Sequence, residues 1–339
     1  MDDCHLQIAI LYNEDGQFTR GDTQDLTAIQ FTATTAQFLY DALASLGYST
    51  IKIAVRDSLE ELEDTLCSFS PKNTFIFNNC DGFDGNNLQA VQVIRVIERM
   101  GFKHTGAPAD SIELCINKPL CKQRLIEAGV PTPQYQVFER PEGDLHLNLP
   151  VIVKPSVEDA SMGIDLGSVI CDIEDLFPRV EYVLDNYREP AMVEEFVPGR
   201  ELAVAMCGNK TVEILPIAEQ DYSLISNPLQ WLLTYEAKWD PASPYFHNIG
   251  SLVPAPLTHA EEQIVKKAAV SSFRAMGLRD FGRIDMRFFN GTPYVIDINE
   301  LPDLSQDAGF WRSAHAAGMT YPQMARHILE HALKREGWK

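Results

Sequence analysis

The residues with the strongest chemical promise lie in one stretch: Arg283-Ile284-Asp285-Met286-Arg287-Phe288-Phe289, then Asn290-Gly291-Thr292, then Pro293-Tyr294-Val295-Ile296-Asp297-Ile298-Asn299. Polar and apolar residues alternate on both sides of a turn, the pattern of a half-buried β-hairpin. A three-residue loop centred on Gly291 sets Asp285 opposite Asp297 and Arg283 opposite Asn299. Because strand side chains alternate faces, these four share one face while Ile284, Met286, Ile296 and Ile298 fill the other. Two carboxylates side by side repel unless a cation lies between them, and oxygen donors with positions left for phosphate suit Mg²⁺. Arg283 beside them is placed to meet negative charge developing on a carboxyl or phosphoryl oxygen. A solvated hairpin face carries the same alternation, and a two-residue turn would shift every pair. This segment alone leaves both readings open.

Other segments offer related groups. Val151-Ile152-Val153-Lys154-Pro155 ends a buried strand in a lysine, directly before a small polar loop at 156–163 whose backbone N–H groups can face phosphate. A strand simply closed by Lys-Pro explains the same residues. Val193 to Glu201 ends a strand in a rigid turn whose backbone can read an adenine edge while Glu201 takes ribose hydroxyls, or it is an ordinary strand–turn–strand. Cys80-Asp81-Gly82-Phe83-Asp84-Gly85-Asn86 precedes a helix and can position an anion there, although a plain turn needs no ligand. His327 and His331 stand four apart on the last helix, at metal-ligand spacing, but without the His-Glu-x-x-His order a solvated or packing role is the default. Neither Gly-x-Ser-x-Gly nor Gly-x-x-x-x-Gly-Lys-Ser/Thr occurs, so serine hydrolase and P-loop readings lose their main support.

These groups need elements to hold them. The chain of 339 residues, 45% apolar, is long enough for several cores. Its formal charge of −20 repels a phosphate backbone, and no Lys/Arg stripe offsets it, so neither nucleic acid nor an anionic membrane is an expected partner. Seven scattered cysteines without a Cys-x-x-Cys pair suit a reducing compartment. The acidic start and the short apolar run from Ile8 to Leu11 lack the length of a signal or membrane span, which points to the cytoplasm. Apolar runs at Leu6–Leu11, Ile51–Val55 and Thr74–Phe77 alternate with helix-period segments at Thr27–Leu46, Leu59–Phe69 and Leu88–Met100, predicting a small parallel sheet. A helix at Lys118–Ala128 stops at Gly129, and an α+β unit follows to about Ala191. The rest opens on a strand at Met192–Phe196 and contains a long Pro- and aromatic-rich segment, Ala218–Pro256, of the length expected of a functional lid. A helix Thr258–Met276 opened by a Thr258/Glu261 capping box, the hairpin and a helix Tyr321–Arg335 complete it. The expected organisation is α/β, α+β in parts, with units at 1–117, 118–191 and 192–339.

In this order the segments resemble the ATP-grasp superfamily and, within it, the D-alanine–D-alanine ligase family. The resemblance runs from about Asn78 to about Ser305, and the N-terminal part agrees only in general pattern. It is carried by Asn117-Lys118, Pro150 to Pro155, Glu194 to Glu201, Leu215-Pro216, Tyr235-Glu236-Ala237-Lys238, Gly282 to Asp285, and Asp297-Ile298-Asn299. It implies a three-domain ATP-grasp fold with ATP between the middle and C-terminal domains, Lys118 and Lys154 on phosphates, and Glu194, Phe196, Val197 and Glu201 around adenosine. It further implies Lys238 at the γ-phosphate, Arg283 beside an acyl phosphate, Ser161 as a catalytic member of the phosphate loop, and Asp285, Asp297 and Asn299 as ligands of two Mg²⁺ ions, with Mn²⁺ an acceptable substitute.

Departures cluster where substrates would sit. Asp297 replaces the usual glutamate, Tyr12-Asn13-Glu14-Asp15-Gly16 replaces the ammonium-binding turn, Asp159-Ala160-Ser161 replaces Gly-Ser-Ser, Trp239 follows the loop lysine, and Ala308 takes the place of a carboxylate-anchoring serine. Substrate contacts are expected at Glu14, Asp303 and Ser305. The implied activity is ATP-dependent joining of a small-molecule carboxylate to an amine, with substrates other than D-alanine. A genuine D-alanine–D-alanine ligase and a non-catalytic ATP-binding regulator are the alternatives, and a homodimer is left open.

Overall fold

Strands β1 (Gln7–Asn13), β2 (Ser49–Val55), β3 (Thr74–Asn79) and β4 (Lys103–His104) alternate with helices α1 (Phe31–Ser45), α2 (Leu59–Leu66) and α3 (Leu88–Arg99) in the computed structural model, which describes residues 6–14, 31–56, 58–83, 86–240 and 242–338. The strands pair in parallel in the order β2-β1-β3-β4. Ile8 to Leu11 are fully buried, as a parallel sheet covered on both faces requires. The expected sheet is therefore observed, with β4 added; Lys103-His104 carries no apolar run that could have announced it. Thr27, Asp15, Gly16, Asp84 and Gly85 lie outside the described residues. Helices α4 (Ala109–Ile116) and α5 (Lys118–Glu127) meet at Asn117, whose side chain accepts the Leu120 N–H at 3.1 Å and so caps α5. That joint fixes Lys118 at the head of its helix.

A second, antiparallel sheet orders β5 (Tyr135–Phe138), β8 (Ala191–Glu195), β6 (Val151–Pro155) and β7 (Val169–Ile170). Helix α6 (Leu176–Tyr187) covers it through a small core that includes Val153, Val180, Val183 and Val193. A division at 191/192 cuts through β8, which pairs with both β5 and β6. The sheet carries the middle unit as far as Glu195.

The third sheet contains β9 (Arg200–Gly208), β10 (Val212–Ile214), β11 (Ala218–Asp221), β12 (Gly250–Leu252), β13 (Asp280–Phe289) and β14 (Thr292–Asn299), ordered β12-β11-β9-β13-β14 with β10 also on β9. Between β11 and β12 lie α7 (Tyr235–Trp239) and α8 (Pro244–Asn248), so the long segment has structure of its own. Helix α9 (His259–Ala275) opens on the Thr258/Glu261 capping box; α10 (Gly309–Ala316) follows the hairpin, and α11 (Tyr321–Arg335) opens on a second box, Thr320/Gln323. Alternation along β9 sends Leu202, Val204 and Met206 toward Val265 and Phe273 of α9, and Ala205 and Cys207 toward Ile328 and Ala332 of α11. No helix among the described residues is long and apolar enough to cross a membrane.

Candidate active site

The β13–β14 hairpin pairs Arg283 with Asn299 and Asp285 with Asp297, as expected, but reaches this register differently. Phe289 pairs with Thr292, so the loop is the two-residue Asn290-Gly291, both left-handed with φ of 48° and 77°. Such a turn matches the twist of the strands it joins. The offset lost in the turn is restored by a β-bulge between the Asp285 and Met286 pairs. As a correction to the expected faces, Val295 rather than Ile296 joins Met286 in the core, and Ile296 lines the cleft. The bulge also gives its carbonyls to lysines. Lys122 Nζ donates to Val295 O at 3.0 Å and to Ile296 O at 3.2 Å, and Lys154 Nζ lies 3.5 Å from Ile296 O.

Arg283 grips Asp285 with two bonds of 2.8 Å and reaches Asn299 Oδ1 at 3.1 Å, while Asn299 Nδ2 donates back to Asp285 at 3.0 Å. Burial would raise the pKa of Asp297, but Lys118, Lys154, Lys122 and Arg283 outweigh it and hold the group ionised. Glu300 has no such surplus: burial, then Asp159 and Asp297, push its pKa well up. Burial raises Asp159 too, with Asp297 adding to it against the pull of Lys118. This is a crowd of hard oxygen donors carrying more acid than its neighbours neutralise, a donor set that fits Mg²⁺.

Lys118 donates to Glu158 O and lies 3.4 Å from Asp159 Oδ1. Burial alone would depress its pKa, but Asp159, Asp297, Glu189 and Glu158 raise it, so its charge is secure. Lys122 and Lys154 clasp the two oxygens of Glu194 at 2.6 Å and 2.5 Å. Lys238 on α7 is depressed by burial and then by Arg283. Lys118, Lys154, Lys238, Arg283, Asp285, Asp297 and Asn299 all line one cavity of about 560 Å³. Its roof is tied down at three points. Ser161 Oγ donates to Leu233 O at 2.8 Å, Tyr235 N to Ile164 O at 3.0 Å, and Arg287 to both Gly199 O and Trp231 O. Ala160, Ser161 and Gly163 bend the loop through positive φ to make this approach.

The other expected residues divide between the cavity and its surroundings. Glu201 lines the cavity but is held by Tyr222 Oη at 2.6 Å and Arg287 at 2.8 Å. Glu194 lies behind the lysines, and Phe196 and Val197 do not line the cavity. Glu14 is exposed and pairs with Arg56 at 2.6 Å because the end of β1 points it away from the cleft; Asn13 lines the cavity instead. Asp303 lines it, while Ser305 is buried beneath, its hydroxyl 2.9 Å from both Asp303 and Asp307. Sequence reasoning passed over Lys122, Arg287 and Glu300. The two-residue period from Arg283 could have found Arg287, and the four-residue helical spacing from Lys118 could have found Lys122; nothing local marks Glu300.

Residues 125–330 match the family model described as D-ala D-ala ligase C-terminus. The chain belongs to the D-alanine–D-alanine ligase family. It is thus an ATP-binding, ATP-dependent ligase of ATP-grasp fold. This ligase is 32% identical to an uncharacterised protein of Sinorhizobium fredii over 87% of the chain and 86% of that protein. It is 30% identical to a D-alanine–D-alanine ligase of Methylacidiphilum infernorum, covering 90% and 91% respectively. Its fold matches the ATP complex of the Bacillus anthracis D-alanine–D-alanine ligase (TM-score 0.74, 19% identity, 97% and 98% covered) and a D-Ala:D-Ser ligase from Enterococcus faecalis (TM-score 0.71, 17% identity, 97% and 99% covered).

Proposed function

We propose that this ligase phosphorylates a small carboxylate with ATP and passes the acyl group to an amine, with substrates other than two D-alanines. A carboxylate oxygen attacks the γ-phosphorus as the bond to the β,γ-bridging oxygen breaks, releasing ADP. The amine nitrogen then attacks the acyl carbon, phosphate leaves and the nitrogen sheds a proton. Lys118 and Lys154 hold phosphate oxygens, Lys238 meets the transferred phosphoryl, and Arg283 meets charge on the acyl oxygen. Asp285, Asp297 and Asn299 would hold magnesium, which supplies charge neutralisation on the phosphates when bound. Three domains, the middle one continued through β8 to Glu195, two ions and a cytoplasmic setting belong to the same reading.

One observation carries it. The cavity that holds the lysines and the hairpin face is also lined by Asn13, Asp81, Asp303, Asp307, Ala308 and Arg312. Ala308 offers no hydroxyl to a substrate carboxylate, and an unpaired buried group forfeits roughly 1–3 kcal/mol, about one to two orders of magnitude in kcat/KM. The acids suit an ammonium on the amine substrate. A screen of carboxylate and amine pairs with ATP, read by product mass and phosphate release, tests the proposal. Efficient dimerisation of D-alanine at submillimolar concentration would replace it with the second reading, a genuine D-alanine–D-alanine ligase, which the names of relatives such as the Methylacidiphilum protein favour. ATP turnover with no carboxylate dependence would sink both.

A further inference from the structure

At the β10 end of the third sheet, away from the cleft lining, α11 and β10 bring together three groups that the ligase reaction does not use. His327 and His331 lie one turn apart on α11, and Glu213 comes from β10. One ligand atom from each lies within 4.8 Å of the other two. Glu213 Oε2 is 2.9 Å from His327 Nε2, and the two imidazole rings meet edge-on with centroids 4.7 Å apart. Nε2 of His331 is buried and has no hydrogen-bond partner among the described residues. A buried polar atom left unpaired is uncommon and calls for an explanation such as an ion.

We propose that Glu213, His327 and His331 form a divalent-metal site of Zn²⁺ type, separate from the magnesium chemistry of the cleft. Helical spacing puts the two imidazoles on one face, but two histidines alone do not make a site. The third ligand arrives from 114 residues away through β10, which no reading of the helix could supply. Imidazole nitrogens with one carboxylate suit Zn²⁺, whereas a site of oxygen donors alone would suit magnesium. Metal bonds of 2.0–2.1 Å place neighbouring tetrahedral ligands about 3.3 Å apart, so the Glu213–His327 separation is already close to that of a shared ion. The bound ion would staple α11 to the strand beside it, leaving solvent in the remaining position.

The test uses the full-length protein stripped of metal and titrated with zinc chloride by calorimetry, beside the Asp297→Asn variant, in which the cleft has lost a carboxylate charge. One Zn²⁺ per chain with equal affinity in both is expected, together with a higher Tm. Outer-shell partners alone shift metal affinity by about 10–100-fold, so Glu213→Gln, His327→Ala and His331→Ala should each weaken binding at least about 100-fold. Glu213 is exposed, so Glu213→Gln keeps the fold and leaves the result readable if a histidine variant misfolds. Cobalt in place of zinc should give the visible bands of a tetrahedral site. No saturable binding, binding unchanged by Glu213→Gln, or binding abolished by Asp297→Asn would each overturn the site.

Discussion

Asp297 and Arg283 sit on neighbouring strands and share one patch, yet they should fail differently. Asp297→Asn replaces a charged magnesium donor with a neutral amide while keeping the shape of the side chain. It should cost at least about 100-fold in kcat at unchanged Tm. Arg283→Ala removes a group that meets charge appearing during transfer, so kcat should fall about 10²–10³-fold with little change in the KM for ATP. Steady-state kinetics and ATP affinity on both variants check this; an Arg283→Ala enzyme whose only defect is ATP affinity would move the residue out of the reaction. Asp303 supplies a different test. Burial raises its pKa, so the folded state keeps the proton that the unfolded chain loses near pH 4, and its stabilising contribution present below that value fades as pH rises. Asp303→Asn has no such loss, and its Tm relative to the parent should improve as pH rises above about 4 and level off once Asp303 ionises in the folded protein. A gap independent of pH would show that Asp303 is ionised freely. At this scale the sequence was informative about residues held by strong alternation and silent about Glu300, whose environment is made by burial and by Asp159 from the loop after β6.

Elements were legible where a local rule decides them. The capping boxes at Thr258 and Thr320 mark their helices because the first-turn N–H groups need partners that the sequence itself supplies. The hairpin shows the limit. Counting residues reveals that one is extra, but whether it lies in the loop or in a bulge depends on Lys122, Lys154 and Thr132, which take the freed carbonyls from other elements. Strand β8 was likewise visible as a strand but not assignable to a sheet, since pairing partners are not written in its own residues. The segment from β11 to β12 carries the next prediction. It holds Lys238 and is secured to the phosphate loop by Ser161 and Tyr235, and Leu224 on it is 72% exposed. ATP with substrate should slow proteolysis between Ser223 and Asp240, and Ser161→Ala should blunt that protection. Equal cleavage rates with and without ligands would remove the lid from the account.

Across the whole molecule, the first and third sheets are joined by a buried charge. Asp280, 0% exposed, receives Arg335 through bonds of 3.0 Å and 2.8 Å and the Gly106 N–H at 2.9 Å, and Arg335 also donates to His104 O at 2.7 Å. Arg335→Ala strands this carboxylate and should cost about 3–5 kcal/mol in denaturant unfolding, with kcat of the folded enzyme preserved because neither residue lines the cleft. An unchanged midpoint would mean the joint is held by packing alone.

Lys118, Lys154, Lys238, Arg283, Arg287 and Arg312 line the cleft against Asp81, Glu158, Asp159, Glu201, Asp285, Asp297, Glu300, Asp303 and Asp307, so the cleft itself holds a surplus of acid inside a chain of charge −20. A nucleotide anion approaching from solution meets no attracting funnel and feels the repulsion of the surface around it. Added salt shortens the reach of that repulsion, from about 30 Å at 0.01 M to about 10 Å at 0.1 M. Encounter should therefore quicken as ionic strength rises, the reverse of electrostatically steered binding. Stopped-flow association of a fluorescent ATP analogue across a salt series would display this, and a rate that falls with salt would reveal a local positive approach path outweighing the acidic exterior.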